Sequence, residues 1–227
     1  APGGQVVALF GPAQSADGRP LPDAASRPAV IFFYGNAMCL AYSEPEFERF
    51  RRLGLNVIVP DYLGYGMSEG KPSERGCRET AEACYEFLIA RGFKPDKIIV
   101  CGWSLGGAVA IDLASRHEVG GLIAFSTFTS TKAMARSLMP VPIPGFLFAH
   151  KFDSLRKIGS IQCPMLLGHG RRDSIVSFSM HEQLVKAAKQ ARVTTIVIDD
   201  ADHNDFFDTG GGRIDAAMRR FVDSLGE

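Results

Sequence analysis

The chain has 227 residues, with 25 Lys and Arg against 25 Asp and Glu, so its formal net charge is zero. This balance argues against a dedicated nucleic-acid binder, which carries a basic surplus, and against a polybasic module for a membrane surface. Hydrophobic residues make up 46% and charged residues 22%, which excludes a disordered chain, and the length suits a single α/β domain.

Short apolar runs rich in β-branched residues alternate with segments of helical period, and each run predicts a strand. The predicted strands are residues 6–10, 29–34, 55–59, 97–101, 121–125, 164–167 and 194–198. The predicted helices are residues 43–53, with a capping box at Ser43–Glu46, then 73–91, 104–116, 179–191 and a last helix with Ile214, Met218 and Phe221 on one face. This alternation predicts a mainly parallel sheet of about eight strands, wrapped by helices on both faces.

The interval 126–163 breaks the alternation and contains Pro140, Pro142 and Pro144 among apolar residues. Connections of this length are usually functional or insertions. We expect it to form a small cap on the single domain of residues 1–227. The cap would lie over the carboxyl ends of the strands, where open α/β sheets bind ligands.

Five cysteines are present, at positions 39, 77, 84, 101 and 163, without a C-x-x-C pair. An odd number without paired spacing favours buried thiols in a reducing compartment, so we expect a cytoplasmic location, with one disulfide left open. No apolar run reaches the length of about 20 residues that spans a bilayer. The chain starts at Ala1 rather than methionine, which leaves open a removed signal peptide, anchor or tag.

The motif Gly102-Trp103-Ser104-Leu105-Gly106 lies between a predicted strand and a predicted helix. A serine on such a sharp turn has strained backbone angles, and the flanking glycines remove side chains that would clash. Its oxygen lies above the sheet at the amino end of a helix, where the dipole favours negative charge. Ser104 is therefore predicted to be a nucleophile.

A serine nucleophile needs a base, and the base needs an orienting acid. Asp173 and His203 each follow a late predicted strand, in the order Ser, Asp, His. Both are expected at the same sheet edge as Ser104, so we predict a triad of these residues. Asp199, Asp200 and Asp202 crowd His203 and remain alternatives for the acid.

The oxyanion of an acyl-transfer reaction needs backbone N–H donors. We assign the N–H of Leu105, immediately after the nucleophile, and the N–H of Asn36 in the loop after the second predicted strand. Candidate substrate contacts are Tyr65, Met67, Met139 and Phe146. No metal-ligand spacing such as H-E-x-x-H occurs, so no metal is predicted.

The segments YGNA, DYLGYGMSEGKPSE, GWSLGG, FDSLRKI and CPMLLGHGRRD resemble the α/β-hydrolase superfamily, in likeness that runs from about Val6 to the last helix. Within it the chain is most similar to small abhydrolase-domain proteins of the serine-aminopeptidase-like group, which includes protein depalmitoylases. The resemblance implies an α/β-hydrolase fold and a serine hydrolase without cofactors. Tyr34 departs from the pattern, since such proteins often have His before Gly-Asn.

Together, the residues and the resemblance predict an enzyme that cleaves carboxylic esters of short to medium acyl length through an acyl-enzyme. Its partner would be a small-molecule ester or thioester, without nucleic acid. The alternatives are an acyl-protein thioesterase, a serine peptidase and a non-catalytic binding protein on the hydrolase scaffold.

Overall fold

The computed structural model describes residues 1–138 and 150–225, and within them seven strands form one sheet. The strands are β1 (Ala8–Gly11), β2 (Ala29–Phe33), β3 (Asn56–Pro60), β4 (Ile98–Trp103), β5 (Gly121–Phe125), β6 (Met165–Gly170) and β7 (Val193–Ile198). Their order is β1-β3-β2-β4-β5-β6-β7, and only β1 runs antiparallel to its neighbour. The mainly parallel sheet is confirmed, with seven strands in the described residues rather than about eight.

The central strands are apolar on both faces because helices cover both sides of the sheet. Every residue of β2, β3 and β5 is buried, whereas the edge strand β7 is largely exposed or half-buried. β4 lies between β2 and β5, in a register that pairs Phe33 with Gly102 and Trp103 with Phe125. The carboxyl end of β4 therefore lies at the middle of the sheet edge.

Seven α-helices accompany these strands in the described residues: α1 (Glu44–Arg52), α2 (Glu74–Ala90), α3 (Leu105–Ala114), α4 (Thr131–Leu138), α5 (Ser154–Ile158), α6 (Phe178–Ala187) and α7 (Phe206–Asp223). One layer consists of α2, α3, α5 and α6, which contact one another in that order. α1 contacts β3 and α7 contacts β6 and β7. An ion pair of Arg49 and Asp215 joins these two helices. The expected wrapping of the sheet by helices is thus observed.

The amino end of α2 has a side-chain cap, whereas the amino end of α1 lacks the predicted one. Ser73 accepts a hydrogen bond from the Gly76 N–H at 2.9 Å and caps α2. The predicted capping box at Ser43 is wrong, because Ser43 ends a 3-10 turn (Leu40–Ser43) and its hydroxyl is buried without a partner among the described residues. α7 contains a kink at Gly211, whose φ is 36°.

The interval predicted to form a cap is described only in part. It begins with a buried segment after β5 and with α4, and it ends with α5, which packs against α3 and α6. Residues 139–149, including the candidate substrate contacts Met139 and Phe146, lie outside the described residues. The cap stays a prediction.

All five cysteines are free thiols, so the disulfide left open by the sequence does not form. Three of them, Cys77, Cys84 and Cys101, are buried in the core as expected. Over residues 1–138 and 150–225, every helix is too short or too polar to cross a bilayer.

Candidate active site

Ser104 stands at a sharp turn between β4 and α3. Its φ of 56° and ψ of −118° are strained for a residue with a side chain. A side chain on Gly102 would overlap the Gly106 carbonyl, and one on Gly106 would overlap the carbonyl oxygen of Phe33. The two glycines of the motif therefore allow the helix to start directly against the neighbouring strand.

Two hydrogen bonds hold this turn in place. The Ser104 N–H donates to the Phe125 carbonyl at 2.9 Å, and the Thr127 hydroxyl donates to the Ser104 carbonyl at 2.8 Å. Both partners come from β5 or the segment after it. The backbone of Ser104 is thus fixed to the adjacent strand, and its side chain is left free to point away from the sheet.

A continuous chain of hydrogen bonds joins three of the predicted site residues. His203 Nε2 lies 2.9 Å from Ser104 Oγ, and His203 Nδ1 lies 2.7 Å from Asp173 Oδ2. His203 and Asp173 are buried, 4% and 8% exposed. Three loops that are far apart in the sequence therefore meet at one point above the sheet.

The Asp173 carboxylate is held by several donors. Oδ1 accepts the N–H groups of Ile175 at 3.0 Å and Val176 at 2.6 Å. Burial alone would raise the pKa of Asp173, but hydrogen bonds from His169, His203 and the Val176 backbone outweigh it and hold this pKa well below its usual range. Asp173 is therefore ionised at neutral pH and accepts from His203 Nδ1–H.

His169 is the second imidazole at this carboxylate. It is 1% exposed, and its Nε2 lies 3.1 Å from Asp173 Oδ2 and 2.9 Å from the Val176 carbonyl. Because both neighbours are acceptors, Nε2 carries the proton. His169 therefore donates to the Asp173 carboxylate and the Val176 carbonyl and helps to hold the loop after β6.

The three alternative acids do not contact the imidazole ring of His203. Asp199 and Asp200 form exposed ion pairs with Arg171 and Arg172. Asp202 accepts from the Ser174 N–H at 2.7 Å and from the His203 backbone N–H at 2.6 Å. Asp202 thus shapes the loop that carries His203, while Asp173 alone of the four reaches the ring.

The loop after β2 lies beside Ser104. Asn36 and Leu105 line the same cleft as Ser104, and neither N–H has a backbone acceptor within the part of the chain that the structure describes. The Asn36 side chain is fixed by the Tyr65 hydroxyl, which donates to Oδ1 at 2.8 Å.

Trp103 connects this loop to the histidine. Its indole ring lies 5.0 Å from the His203 ring, centroid to centroid, with an angle of 33° between the planes. The same ring packs so closely on Gly35 that an added Cβ there would lie 2.5 Å from an indole carbon. Trp103, immediately before Ser104, therefore packs against both His203 and the loop after β2.

Tyr34, the residue that departs from the family pattern, is fully buried beneath the loop. Its hydroxyl donates to Asp61 Oδ1 at 2.9 Å and accepts from the Tyr62 N–H at 3.3 Å. Burial, with the hydrogen bond and charge of Asp61, raises the pKa of Tyr34 well above its usual value. Asp61 also accepts from the Leu40 N–H at 2.6 Å, which ties the loops after β2 and β3 together.

A cleft of about 400 Å³ opens at Ser104. It is lined by Asn36, Tyr65, Pro72, Ser73, Glu74, Cys77, Ser104, Leu105, Phe128, Thr131, Met134, His150, Phe152 and Ile175. Of the candidate substrate contacts, Tyr65 lies on this cleft, whereas Met67 is 68% exposed and does not line it. Burial raises the pKa of Cys77 to about 12, so its thiol is neutral.

Sequence reasoning missed most of the cleft wall. Phe128 lies three residues after the end of β5, and Ile175 lies five residues after the end of β6. A position shortly after a strand end could therefore have indicated both as cleft residues. Glu74, His150 and Phe152 come from segments without such a signal. In residues 1–138 and 150–225, no group of three His, Cys, Asp or Glu side chains is arranged to bind a metal ion.

Comparisons with known proteins agree with this architecture. A family model described as alpha/beta hydrolase fold matches residues 28–148. An uncharacterized protein of Mycobacterium tuberculosis is 34% identical over 199 residues, which cover 87% of this chain and 70% of the relative. Alpha/beta hydrolase domain-containing protein 17C of Xenopus tropicalis is 34% identical over 186 residues, 79% of this chain but only 57% of that relative.

Solved structures show the same fold at lower identity. The esterase Pf2001 of Pyrococcus furiosus superposes with a TM-score of 0.72 at 22% identity, over 88% of this chain and 82% of that one. A monoacylglycerol lipase of Paleococcus ferrophilus gives 0.68 at 17% identity, over 97% and 99%.

Proposed function

This chain belongs to the α/β-hydrolase fold family, and we propose that it is a serine hydrolase that cleaves carboxylic esters of short to medium acyl length. The observation that carries the proposal is the hydrogen-bonded chain from Ser104 through His203 to Asp173, which opens onto a largely apolar cleft. Such a chain activates a hydroxyl for attack on a carbonyl.

The first step is acylation of Ser104. Because ionised Asp173 accepts from Nδ1–H, the other nitrogen of His203 is free to take the Ser104 proton as Oγ attacks the substrate carbonyl carbon. The N–H groups of Leu105 and Asn36 stabilise the oxyanion that forms. His203 then gives its proton to the leaving alcohol as the ester C–O bond breaks.

The second step returns the enzyme to its starting state. His203 takes a proton from water, and the hydroxide attacks the acyl-enzyme carbonyl. The same two N–H groups stabilise the second oxyanion. Collapse breaks the bond to Ser104 Oγ, which recovers its proton from His203, and the carboxylic acid leaves.

The cleft favours a neutral acyl group. Phe128, Met134, Phe152 and Ile175 give it apolar walls, which release water when a hydrocarbon chain binds. Tyr65 is proposed to act through its ring and by fixing Asn36, since its hydroxyl is already engaged. Met139 and Phe146 remain proposed contacts, while the exposed side chain of Met67 is not retained as one.

The test combines an active-site probe with turnover. We expect a fluorophosphonate to label the wild-type protein but not Ser104→Ala, and His203→Ala to lose p-nitrophenyl ester hydrolysis while keeping its circular dichroism. Asp173→Asn should lower kcat by about 10⁴-fold, the loss expected when the acid no longer fixes the tautomer of the base.

Asp200→Asn is the matched control, because Asp200 forms only an exposed ion pair. It should retain wild-type turnover. Equal labelling of Ser104→Ala, or no labelling of the wild type, would refute the proposal and favour a binding protein on the hydrolase scaffold.

The same chemistry would cleave a thioester, whose carbonyl would occupy the same position. Rates for matched acetyl, butyryl and octanoyl esters and thioesters decide between the two. A higher kcat/KM for every ester supports the proposal, and a consistent preference for thioesters would reassign the enzyme as a thioesterase.

A further inference from the structure

The two segments SEGKPSE and FDSLRKI, which the proposed mechanism does not use, meet beside the cleft. Glu74 of the first segment is the first residue of α2, and Phe152 of the second lies two residues before α5. Both residues line the cleft. Their contact gives each segment a role at the site.

Glu74 holds the backbone of the second segment with both carboxylate oxygens. Oε1 accepts the Phe152 N–H at 3.0 Å, and Oε2 accepts the Lys151 N–H at 2.7 Å. The N–H of Glu74 itself donates to His150 Nδ1 at 3.3 Å. A carboxylate that accepts two successive N–H groups is a strong and directional anchor.

The opposite side of the same segment is held by α4. The N–H and hydroxyl of Thr131 both donate to the Lys151 carbonyl at 3.0 Å. Residues 150–152 have no regular secondary structure. Their position is therefore set by these side-chain contacts rather than by a helix or strand.

Phe152 is held in a strained conformation. Its φ is 38°, in the left-handed region that residues with a side chain rarely adopt. The residue is 9% exposed, and its ring packs edge to face on Phe128, with centroids 6.4 Å apart and planes at 83°. Strain of this kind persists only where surrounding contacts impose it, and it is concentrated at functional sites.

We propose that the ring of Phe152, backed by Phe128, closes the acyl end of the cleft and limits the length of chain it accepts. Glu74 is a positioning residue that keeps the ring there. This inference rests on the proposed ester hydrolysis and adds the residues that set its chain-length preference.

The test uses p-nitrophenyl acetate, butyrate, octanoate and laurate. In Phe152→Ala, the space left by the ring is continuous with the cleft, so the ratio of kcat/KM for laurate to that for butyrate should rise at least about 10-fold. Phe152→Leu, which disturbs packing less, should shift the ratio in the same direction by a smaller factor. An unchanged ratio in both variants would overturn the inference.

Glu74→Gln keeps the shape of the side chain but replaces one acceptor by a donor that faces a backbone N–H. We expect KM for butyrate to rise several-fold while kcat stays within about twofold, since only the fit of the acyl chain changes. Labelling by diisopropyl fluorophosphonate, which carries no acyl chain, should proceed at the wild-type rate. Equal losses in kcat and in labelling would show that Glu74 is merely structural.

Glu86→Gln, on the exposed face of the same helix, is the matched control and should leave KM unchanged. The two proposals fail separately. A wild-type protein that is not labelled at Ser104 refutes ester hydrolysis, whereas an active protein whose Phe152 variants keep the wild-type chain-length ratio refutes only the inference about Phe152.

Discussion

The hydroxyl of Tyr34 lies beneath the loop after β2, and its removal tests how that loop is held. Tyr34→Phe deletes one oxygen and keeps the ring. The oxygen donates to Asp61 at 2.9 Å and accepts from the Tyr62 N–H at 3.3 Å, all within the buried core. The variant therefore removes a donor from one buried group and an acceptor from another.

Both losses reduce the free energy of unfolding. A hydrogen bond to a charged group contributes about 1.5–3 kcal/mol, and the Tyr62 N–H loses its partner as well. Asp61 keeps the N–H groups of Leu40 and Met67 as donors, which limits the loss. We expect a decrease of about 2–3 kcal/mol, which for a chain of this length lowers Tm by about 4–12 °C.

The assay is urea and thermal unfolding of the variant against Tyr42→Phe. Tyr42 is 70% exposed, so the same chemical change there should alter stability by less than about 0.5 kcal/mol. Ester turnover of Tyr34→Phe should fall as well, because the loop after β2 loses one of its two hydrogen bonds to Asp61. If the two variants were equally stable, the role assigned to the buried hydroxyl would be wrong.

Two further predictions concern packing and pH. Gly106→Ala should give little folded protein, because its Cβ would overlap the Phe33 carbonyl. Gly212→Ala in α7 has open space at its Cβ and should raise the free energy of unfolding by about 0.5–1 kcal/mol. Equal yields and melting curves for the two variants would contradict this. Burial, with repulsion from His169, lowers the pKa of His181 from 6.5 to about 4. As the pH is lowered from 6.5 to 4, the unfolded chain therefore takes up a proton at His181 before the folded protein does. The free energy of unfolding decreases over this range by at most about 3 kcal/mol. Urea titrations should show this slope in the wild type and lose it in His181→Gln; an equal slope in both would refute it.

Much of the fold could be read from the sequence because its signals are local. A strand buried on both faces needs a continuous apolar run, and β2 and β5 both arise from such runs. The positions of Ser104, Asp173 and His203 followed from one rule, that carboxyl ends of parallel strands share an edge. The strand order was not predictable in the same way, since it depends on pairings between distant segments.

The failures have physical causes as well. Ser43 matched a capping box, but the preceding 3-10 turn buried its hydroxyl away from the helix N–H groups. Met67 was chosen from a loop near the site, yet its side chain points to solvent. Glu74 and Phe152 lie in segments that carry the family resemblance, but their contact was not predictable, because an anchor between a helix start and an irregular segment has no periodicity.

The packing of Trp103 on His203 has an optical consequence. The chain contains one tryptophan, so its entire indole emission comes from a ring that touches the imidazole of the site. The fluorescence of the unlabelled protein therefore reports on the surroundings of His203 alone, and a stopped-flow trace of that emission is expected to change when a ligand enters the cleft beside this ring.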